Sequence, residues 1–312
     1  MNSYIIGVDI GGTSERFVIY DIKKKEFSTI IKNDFVHTGD AVTEVDKNLC
    51  WAIDSIIEEM TESGMELLGI GISTAALFDR QTGQVTIWPN NRTWDNFPLK
   101  EYLFKRYHVN IFMEDDSNCA ALGEYWELND AKINSLIYIT ISTGISCGII
   151  LNHSLYIGQH GWAGEIGHIC VQEQGVKCVC GKVGCLQAFA SGPAIVASYC
   201  ETSQSKQGEY TLSEIGALAQ NGDQNAIYAF KIAANYIAQM IEVLSIILDI
   251  SDFVLGGGVL NTGSILIDEI ERNVFRRLEG SNRKIKLMYS KLKDKNGLVG
   301  AVKLCLSALN VD

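Results

Sequence analysis

Proline is nearly missing from this chain, with three in 312 residues. No low-complexity tract is present either, so composition gives no support for a disordered segment. Basic stripes are also missing. The formal net charge is −11, and a nucleic-acid binder needs clustered Lys and Arg to displace counterions from phosphate. The densest basic run, Lys23-Lys24-Lys25, reads as a turn between strands. No uninterrupted apolar run reaches the ~18–20 residues of a membrane span. The longest in the helical region, about 237–248, is broken by Gln239 and Glu242. The first residues, Tyr4 to Asp9, already read as a strand without a charged and then apolar leader, so a signal peptide is not expected. Nine cysteines make an odd set for a disulfide framework. Cys50, Cys119, Cys147, Cys170, Cys200 and Cys305 sit singly among apolar neighbours and are expected to be small buried hydrophobes. A reducing, cytoplasmic compartment is the expectation.

What is present is an ordinary globular mixture, 47% hydrophobic and 20% charged, in a chain long enough for two domains. Residues 4–9 and 16–21 are β-rich runs joined by Ile10-Gly11-Gly12-Thr13-Ser14-Glu15, a hairpin pattern. Residues 42–62 carry helical periodicity through Val42, Val45, Leu49, Ile53, Ile56, Ile57 and Met60, closed by Gly64. Strands are expected at 67–73 and 109–113, with a polar loop, Trp88 to Trp94, between them and a helix from about Asn118 to Trp126. A second hairpin, 136–142 and 148–151, repeats the layout of the first. Residues 212–249 read as mostly helical, 251–255 as a strand feeding Gly256-Gly257-Gly258, and 297–309 as an amphipathic helix. This alternation indicates an α/β class.

The turn Asp9-Ile10-Gly11-Gly12-Thr13 follows a strand but opens a hairpin. It is neither a GxxxxGK[ST] P-loop nor a Rossmann fingerprint. Paired glycines let backbone N–H groups approach a phosphate, Thr13 adds a hydroxyl, and Asp9 could hold Mg²⁺ through water. A plain tight hairpin is the alternative. Ser142-Thr143-Gly144-Ile145 is a second loop of this kind, and Gly256–Gly258 a third glycine cluster at a strand end, suited to a flat adenine against backbone. Asp116, after one strand and before a helix, is a candidate general base; capping that helix is its other possible use. His168, Cys178, Cys180 and Cys185 have the spacing H-x9-C-x-C-x4-C, a donor set for a closed tetrahedral Cys₃His zinc site. A disulfide or unligated cysteines are the alternatives, both disfavoured in a reducing compartment.

Taken together, Asp9–Thr13, Glu114-Asp115-Asp116-Ser117-Asn118, Gly164-Glu165-Ile166-Gly167-His168 and the cysteine cluster resemble the ROK family of repressors, open reading frames and sugar kinases. The resemblance runs from Asp9 to the last helix. It implies an actin/hexokinase-like (ribonuclease H-like) fold of two α/β domains around a cleft, with residues 1–117 and 298–312 in the smaller domain and 118–297 in the larger. It implies ATP-dependent phosphorylation of a sugar hydroxyl, the 6-hydroxyl of glucose or a related hexose being the leading expectation, with Asp116 as base. N-acetylmannosamine and β-glucosides are alternative substrates within that class. A non-catalytic sugar sensor is an alternative of another class. A repressor is disfavoured because the first phosphate loop begins at residue 9 and the chain is acidic. The motifs also imply sugar contacts from Asn90, Asp115, Glu165, His168 and Gln187, phosphate and nucleotide contacts from Asp9, Gly11, Gly12, Thr13, Thr143, Gly144 and Gly256–Gly258, structural Zn²⁺ on His168, Cys178, Cys180 and Cys185, and a homodimer. Partners are thus ATP and a small sugar, with no nucleic acid and no membrane. Three positions depart from the family pattern: Asp115 stands where asparagine is usual, Gln187 where glutamate is, and Ala75-Ala76 where Pro-Gly often lines the pocket.

Overall fold

The computed structural model describes residues 2–89 and 91–311. Along the chain the strands are β1 (Ser3–Ile10), β2 (Ser14–Asp21), β3 (Glu26–Phe27), β4 (Ile31–Asp34), β5 (Glu66–Thr74), β6 (Leu77–Phe78), β7 (Val85–Ile87), β8 (Asn110–Asp115), β9 (Leu136–Ile141), β10 (Ile145–Leu151), β11 (Ser154–Leu155), β12 (Asp252–Gly256) and β13 (Lys286–Tyr289). The α-helices are α1 (Ala41–Val45), α2 (Trp51–Glu62), α3 (Leu99–Tyr107), α4 (Asp116–Leu128), α5 (Gln187–Ala190), α6 (Gly192–Ser203), α7 (Leu212–Gln220), α8 (Gln224–Leu248), α9 (Ser264–Leu278) and α10 (Asn296–Leu309). They form two compact units, Met1–Asn129 with Asp294–Asp312, and Asp130–Lys293. Helix α4 belongs to the first of these, packed along α10.

The first unit is built on a sheet of order β3-β2-β1-β5-β8, with β4 also paired to β2. β1 and β2 are antiparallel, whereas β5 and β8 run parallel to β1. Because strand side chains alternate, the sheet buries both faces. Tyr4, Ile6, Val8 and Ile10 meet Leu49, Ile53, Trp88 and Trp94 on one side. Ile5, Val18 and Tyr20 meet Leu298, Val302, Cys305 and Leu306 of α10 on the other. Each large aliphatic chain so buried is worth about 1.5–3 kcal/mol before entropy. A side chain at Gly71 would run into the carbonyl of Ala301, so only glycine lets α10 lie this close to the sheet.

Residues 41–62 are helical throughout, but a π turn at Asp46–Cys50 separates α1 from α2. Its wider winding rotates the two stretches relative to each other. Val42 is therefore exposed, although the periodicity placed it with Val45 and Leu49.

The second unit repeats the plan. Its sheet order is β11-β10-β9-β12-β13, with an antiparallel hairpin β9/β10 followed by parallel β12 and β13. The matching series β2-β1-β5-β8 and β10-β9-β12-β13 bear out the two similar halves expected from the hairpins. Helix α8 is long and apolar enough to span a bilayer. Here Phe230, Ala233, Ile237, Ile241 and Leu244 lie in the core of the unit, and Lys231, Asn235 and Glu242 interrupt the remainder.

Candidate functional site

The head of α4 joins a strand end to a helix start, the position at which the sequence placed a base. Asp115 is the N-cap: its Oδ1 accepts from the backbone N–H of Asn118 at 2.9 Å. Its Oδ2 accepts from Asn118 Nδ2 at 2.6 Å. Asp116 is the first helical residue and accepts from the Ser117 hydroxyl at 3.1 Å. Capping therefore falls to Asp115. Glu114 is buried and accepts from the backbone N–H of Asp115 at 2.9 Å and from Asn118 Nδ2 at 3.1 Å. Arg80, from the turn after β6, places both terminal nitrogens on Glu114 and reaches Asp115 Oδ2 at 3.5 Å. Burial, reinforced by the adjacent Glu114 carboxylate, pushes the Asp115 carboxyl well above the usual carboxylate range.

Strand register sets a row of polar groups at the ends of the same sheet: Arg16, Asp9, Ser73 and Glu114 lie side by side on β2, β1, β5 and β8. Asp9 is ion-paired to Arg16, which also reaches Asp294 at 3.2 Å. Its other oxygen accepts from Ser73 Oγ at 2.8 Å. Beyond Asp9 the β1/β2 hairpin turns through Gly11–Thr13, closed by Gly11 N–H to the Ser14 carbonyl at 3.0 Å; the Thr13 carbonyl accepts from Phe35 at 3.0 Å.

Asn90 lies outside the described residues. Its neighbours are firmly held by Glu44 of α1, a buried carboxylate. Oε1 accepts from the N–H groups of Thr38 and Gly39 at 2.7 and 2.9 Å. Oε2 accepts from Asn91 Nδ2 and Trp94 Nε1 at 2.7 and 3.0 Å. Burial alone would raise this carboxyl, but the four donors, Asn91 foremost, hold it below its ordinary value. Sequence reasoning missed Glu44 and Arg80. Each left a signal: a charge on a buried helical face, and a cation in a loop with three carboxylates to match.

In the second unit the β9/β10 turn is closed by Ser142 N–H to the Gly144 carbonyl at 2.9 Å, and the Ser142 carbonyl accepts from Gly192 at 2.8 Å. Gly257 has φ +97°, and a side chain there would strike the Ile141 carbonyl; glycine is required by the backbone. Gly256 packs against Tyr138 instead of opening outward, whereas Gly258 faces open space. Gly258 and Thr143 meet Pro193, Val196, Thr211 and Asn261 around a cavity of about 640 Å³. Its mixture of apolar and polar walls suits a ring system with a polar edge. Thr143 and Gly258 were foreseen here; Pro193 and Val196 of α6, the α7 cap Thr211 and Asn261 were not, being scattered over three segments without a shared local pattern.

The Cys₃His group assembles as its spacing implied. One donor atom each from His168, Cys178, Cys180 and Cys185 lies within 4.8 Å of the others. Cys178 Sγ is 3.7 Å from His168 Nδ1, and Cys180 Sγ is 3.7 Å from Cys185 Sγ. A tetrahedral ion with bonds near 2.3 Å requires donor separations of about 3.5–3.8 Å. With Nδ1 turned to the sulfurs, His168 Nε2 is 3.9 Å from Glu165 Oε2. Gln187, the first residue of α5, donates to Cys178 Sγ at 3.5 Å and lies against Gly144 and Gly167. The second unit thus brings Thr143–Gly144, Glu165, His168 and Gln187 into one neighbourhood. Cys170 corrects an expectation: it is an exposed free cysteine, not a buried hydrophobe, because backbone pairing of residue 170 with residue 185 places it on the rim of the cluster.

The ROK family model matches residues 5–308. Glucokinase from Streptomyces coelicolor is 31% identical over 315 residues, covering 96% of both chains. A putative xylose repressor from a Caldicellulosiruptor species is 27% identical over 316 residues, covering 97% of this chain and 78% of its own length. A ROK hexokinase from Thermus thermophilus superposes with a TM-score of 0.87 at 28% identity, over 99% of this chain and 100% of that one. A ROK family glucokinase from Streptomyces griseus, solved with glucose and AMPPNP, has a TM-score of 0.75 at 30% identity, over 96% and 98%.

Proposed function

The chain belongs to the ROK family and has the actin/hexokinase-like fold of its hexokinases, and from that premise we propose that it transfers the γ-phosphoryl group of ATP to a hydroxyl of glucose or a related hexose. The observation that carries the reading is the division of labour at the head of α4. Asp115 makes the cap, so the other use considered for Asp116 belongs to its neighbour, and Asp116, in the first turn of the same helix, is assigned the base. Asp116 accepts the hydroxyl proton as the sugar oxygen bonds to the γ-phosphorus and the bond to the β-phosphate oxygen breaks, releasing ADP. The turns Gly11–Thr13 and Thr143–Gly144 supply backbone donors to phosphate oxygens, and the cavity beside Gly258 takes the adenine. Asn90, Asp115, Glu165, His168 and Gln187 contact the sugar.

Mg²⁺ arrives with ATP and neutralises phosphate charge. Among the described residues each Asp9 oxygen has one donor and so keeps a lone pair for a water in the ion's shell. His168, Cys178, Cys180 and Cys185 would hold a zinc ion, their separations suiting a tetrahedral one, and coordination through Nδ1 would fix the His168 ring and leave Nε2 for a sugar hydroxyl. Supply of ATP and the need for reduced thiolates support a cytoplasmic location. It acts as a homodimer, taking ATP and a sugar, without nucleic acid or membrane.

A second reading, a sugar sensor without turnover, draws on the repressor relative and on the occupied hydrogen bonds of Asp115 and Gln187. ADP release measured over a panel of glucose, mannose, N-acetylmannosamine and β-glucosides separates the two. We expect sugar-dependent release that Asp116→Asn lowers by about 10²-fold or more. Binding without release would favour the sensor, and undiminished release by Asp116→Asn would take the base away from that residue.

A further inference from the structure

The knuckle segment holds a fourth cysteine, Cys170, which stands outside the Cys₃His set. Cys50, Cys119, Cys147, Cys200 and Cys305 are buried, whereas Cys170 and the donor Cys180 are exposed. Cys170 faces Cys185 across an antiparallel bridge. Two backbone bonds flank the pair: Leu186 N–H to the Ile169 carbonyl at 2.9 Å, and Val171 N–H to the Gly184 carbonyl at 2.8 Å. These bonds join residues on either side of the two cysteines, which is the pattern of a non-hydrogen-bonded pair. In such a pair the Cα atoms lie about 4.5 Å apart and both side chains leave the same face. A disulfide spans Cα separations of about 4.4–6.8 Å, so this register admits one without moving the backbone. The Cys170 thiol also leans across to the facing segment. Its Sγ lies 3.1 Å from where a Cβ on Gly184 would stand, beside Cys185.

We propose that Cys170 is a redox modification site, at which a peroxide forms a disulfide with Cys185 and so removes one donor from the Cys₃His set. Cys170 is the thiol that is both open to solvent and outside that set, so the oxidant meets it first. Its thiolate attacks one peroxide oxygen, the O–O bond breaks, and hydroxide leaves, giving a sulfenic acid at 170. The Cys185 thiolate then attacks that sulfur. The S–S bond forms as the S–O bond breaks, and a second hydroxide leaves. Two electrons have passed from the sulfur pair to the peroxide. Cys185 is buried, but its step is intramolecular and needs no access from solvent. His168, Cys178 and Cys180 remain, and three donors do not make a closed structural zinc site. A dithiol reductant restores the fourth. The loss of zinc rests on the metal reading above; the disulfide rests on the backbone register alone.

The test treats the full-length protein with hydrogen peroxide, blocks remaining thiols and digests with trypsin. Cleavage after Lys177 and Lys182 puts Cys170, Cys185 and the Cys178–Cys180 pair on three separate peptides. Mass spectrometry should find the first two joined, and dithiothreitol should part them. Zinc content is measured before treatment, and its release is followed with a chromogenic chelator. Zinc should leave the wild type about tenfold or more faster than Cys170→Ser, the scale on which weakened support of a metal site shows itself. Cys170→Ala serves as a second variant should serine disturb the segment. Either variant should bind as much zinc as the wild type before oxidation. Protein purified without zinc would end the metal reading, and the joined peptides would still decide the disulfide. Cys185 joined instead to the peptide of Cys178 and Cys180 would overturn the proposal. So would a Cys170 that oxidises without forming a link, or equal zinc release from wild type and both variants.

Discussion

Glu15 is the residue whose chemistry the fold leaves most exposed to measurement. It lies on β2 beside Ile10 and Asn33 and is fully buried, and among the described residues neither carboxylate oxygen finds a partner. Burial pushes its carboxyl from 4.5 up to about 8, with Asp34 on the neighbouring strand β4 adding to the rise and its own backbone N–H opposing it. The native state therefore holds a proton that the unfolded chain gives up near pH 4.5. The contribution of this group to stability is fully present below that value and is lost as pH rises towards 8. Glu15→Gln keeps the shape and carries no charge, so it should gain roughly 2–4 kcal/mol over wild type at pH 9 and little at pH 4.5. Urea unfolding at pH 4.5, 6 and 9 checks this. Parallel curves for the two proteins would mean the carboxylate is solvated or paired. Nothing in the sequence marked this residue. Glu15 is written as the last letter of a turn, and only the pairing of β2 with both β1 and β4 carries it indoors.

At the scale of elements, the Cys₃His segment makes the sharpest demand. Residues 168–187 contain only isolated backbone bridges and short helical turns, and backbone bonds such as Val171 N–H to the Gly184 carbonyl and Cys178 N–H to the Lys182 carbonyl, both 2.8 Å, hold them together with the cluster. Cys178→Ser, or stripping of the metal by a chelator, should release His168 and raise the sugar KM about 10–100-fold, the usual range when the support of a metal ligand is lost, with a smaller effect on kcat. Zinc content and sugar KM are measured together. Zinc-free protein with wild-type KM would reduce the knuckle to scaffolding. This segment was legible because ligand spacing is a local signal. The same holds for the paired hairpins and for α10, where an apolar period or a turn dipeptide suffices. Elements held by distant contacts were not. Helix α9 is heavily charged, and β13 is a short edge strand of partly buried residues. Glu44 pins the Asn91–Trp94 turn from 47 residues away in sequence; its role exists only once α1 is folded against that turn. The sequence named the groups proposed to carry the chemistry, and the structure added neighbours that hold some of them in place.

For the molecule as a whole, the open question with a physical handle is assembly. The second unit presents Trp162 and Ile247, each 70% exposed, with Ile246 and Tyr156 also at the surface. Trp162, Ile247 and Tyr156 line one apolar depression of about 400 Å³ with Leu244 and Leu248 of α8. A contiguous apolar patch of this kind is rarely left to water. If it is the dimer face, it must bury about 800 Å² per partner, and apolar area has to outweigh the repulsion between two chains of charge −11. Dimerisation should then strengthen with salt, because screening removes the repulsion and leaves the apolar term. Light scattering at 20 and 500 mM NaCl should find dimer at both concentrations for the wild type, with the tighter association at high salt. Ile247→Glu, which adds a charge to the patch, should be monomeric at low salt. Since the patch is formed by residues assigned no part in binding sugar or nucleotide, this variant should keep its sugar-dependent ADP release. A monomeric wild type, or an Ile247→Glu protein that remains dimeric, would move the interface elsewhere.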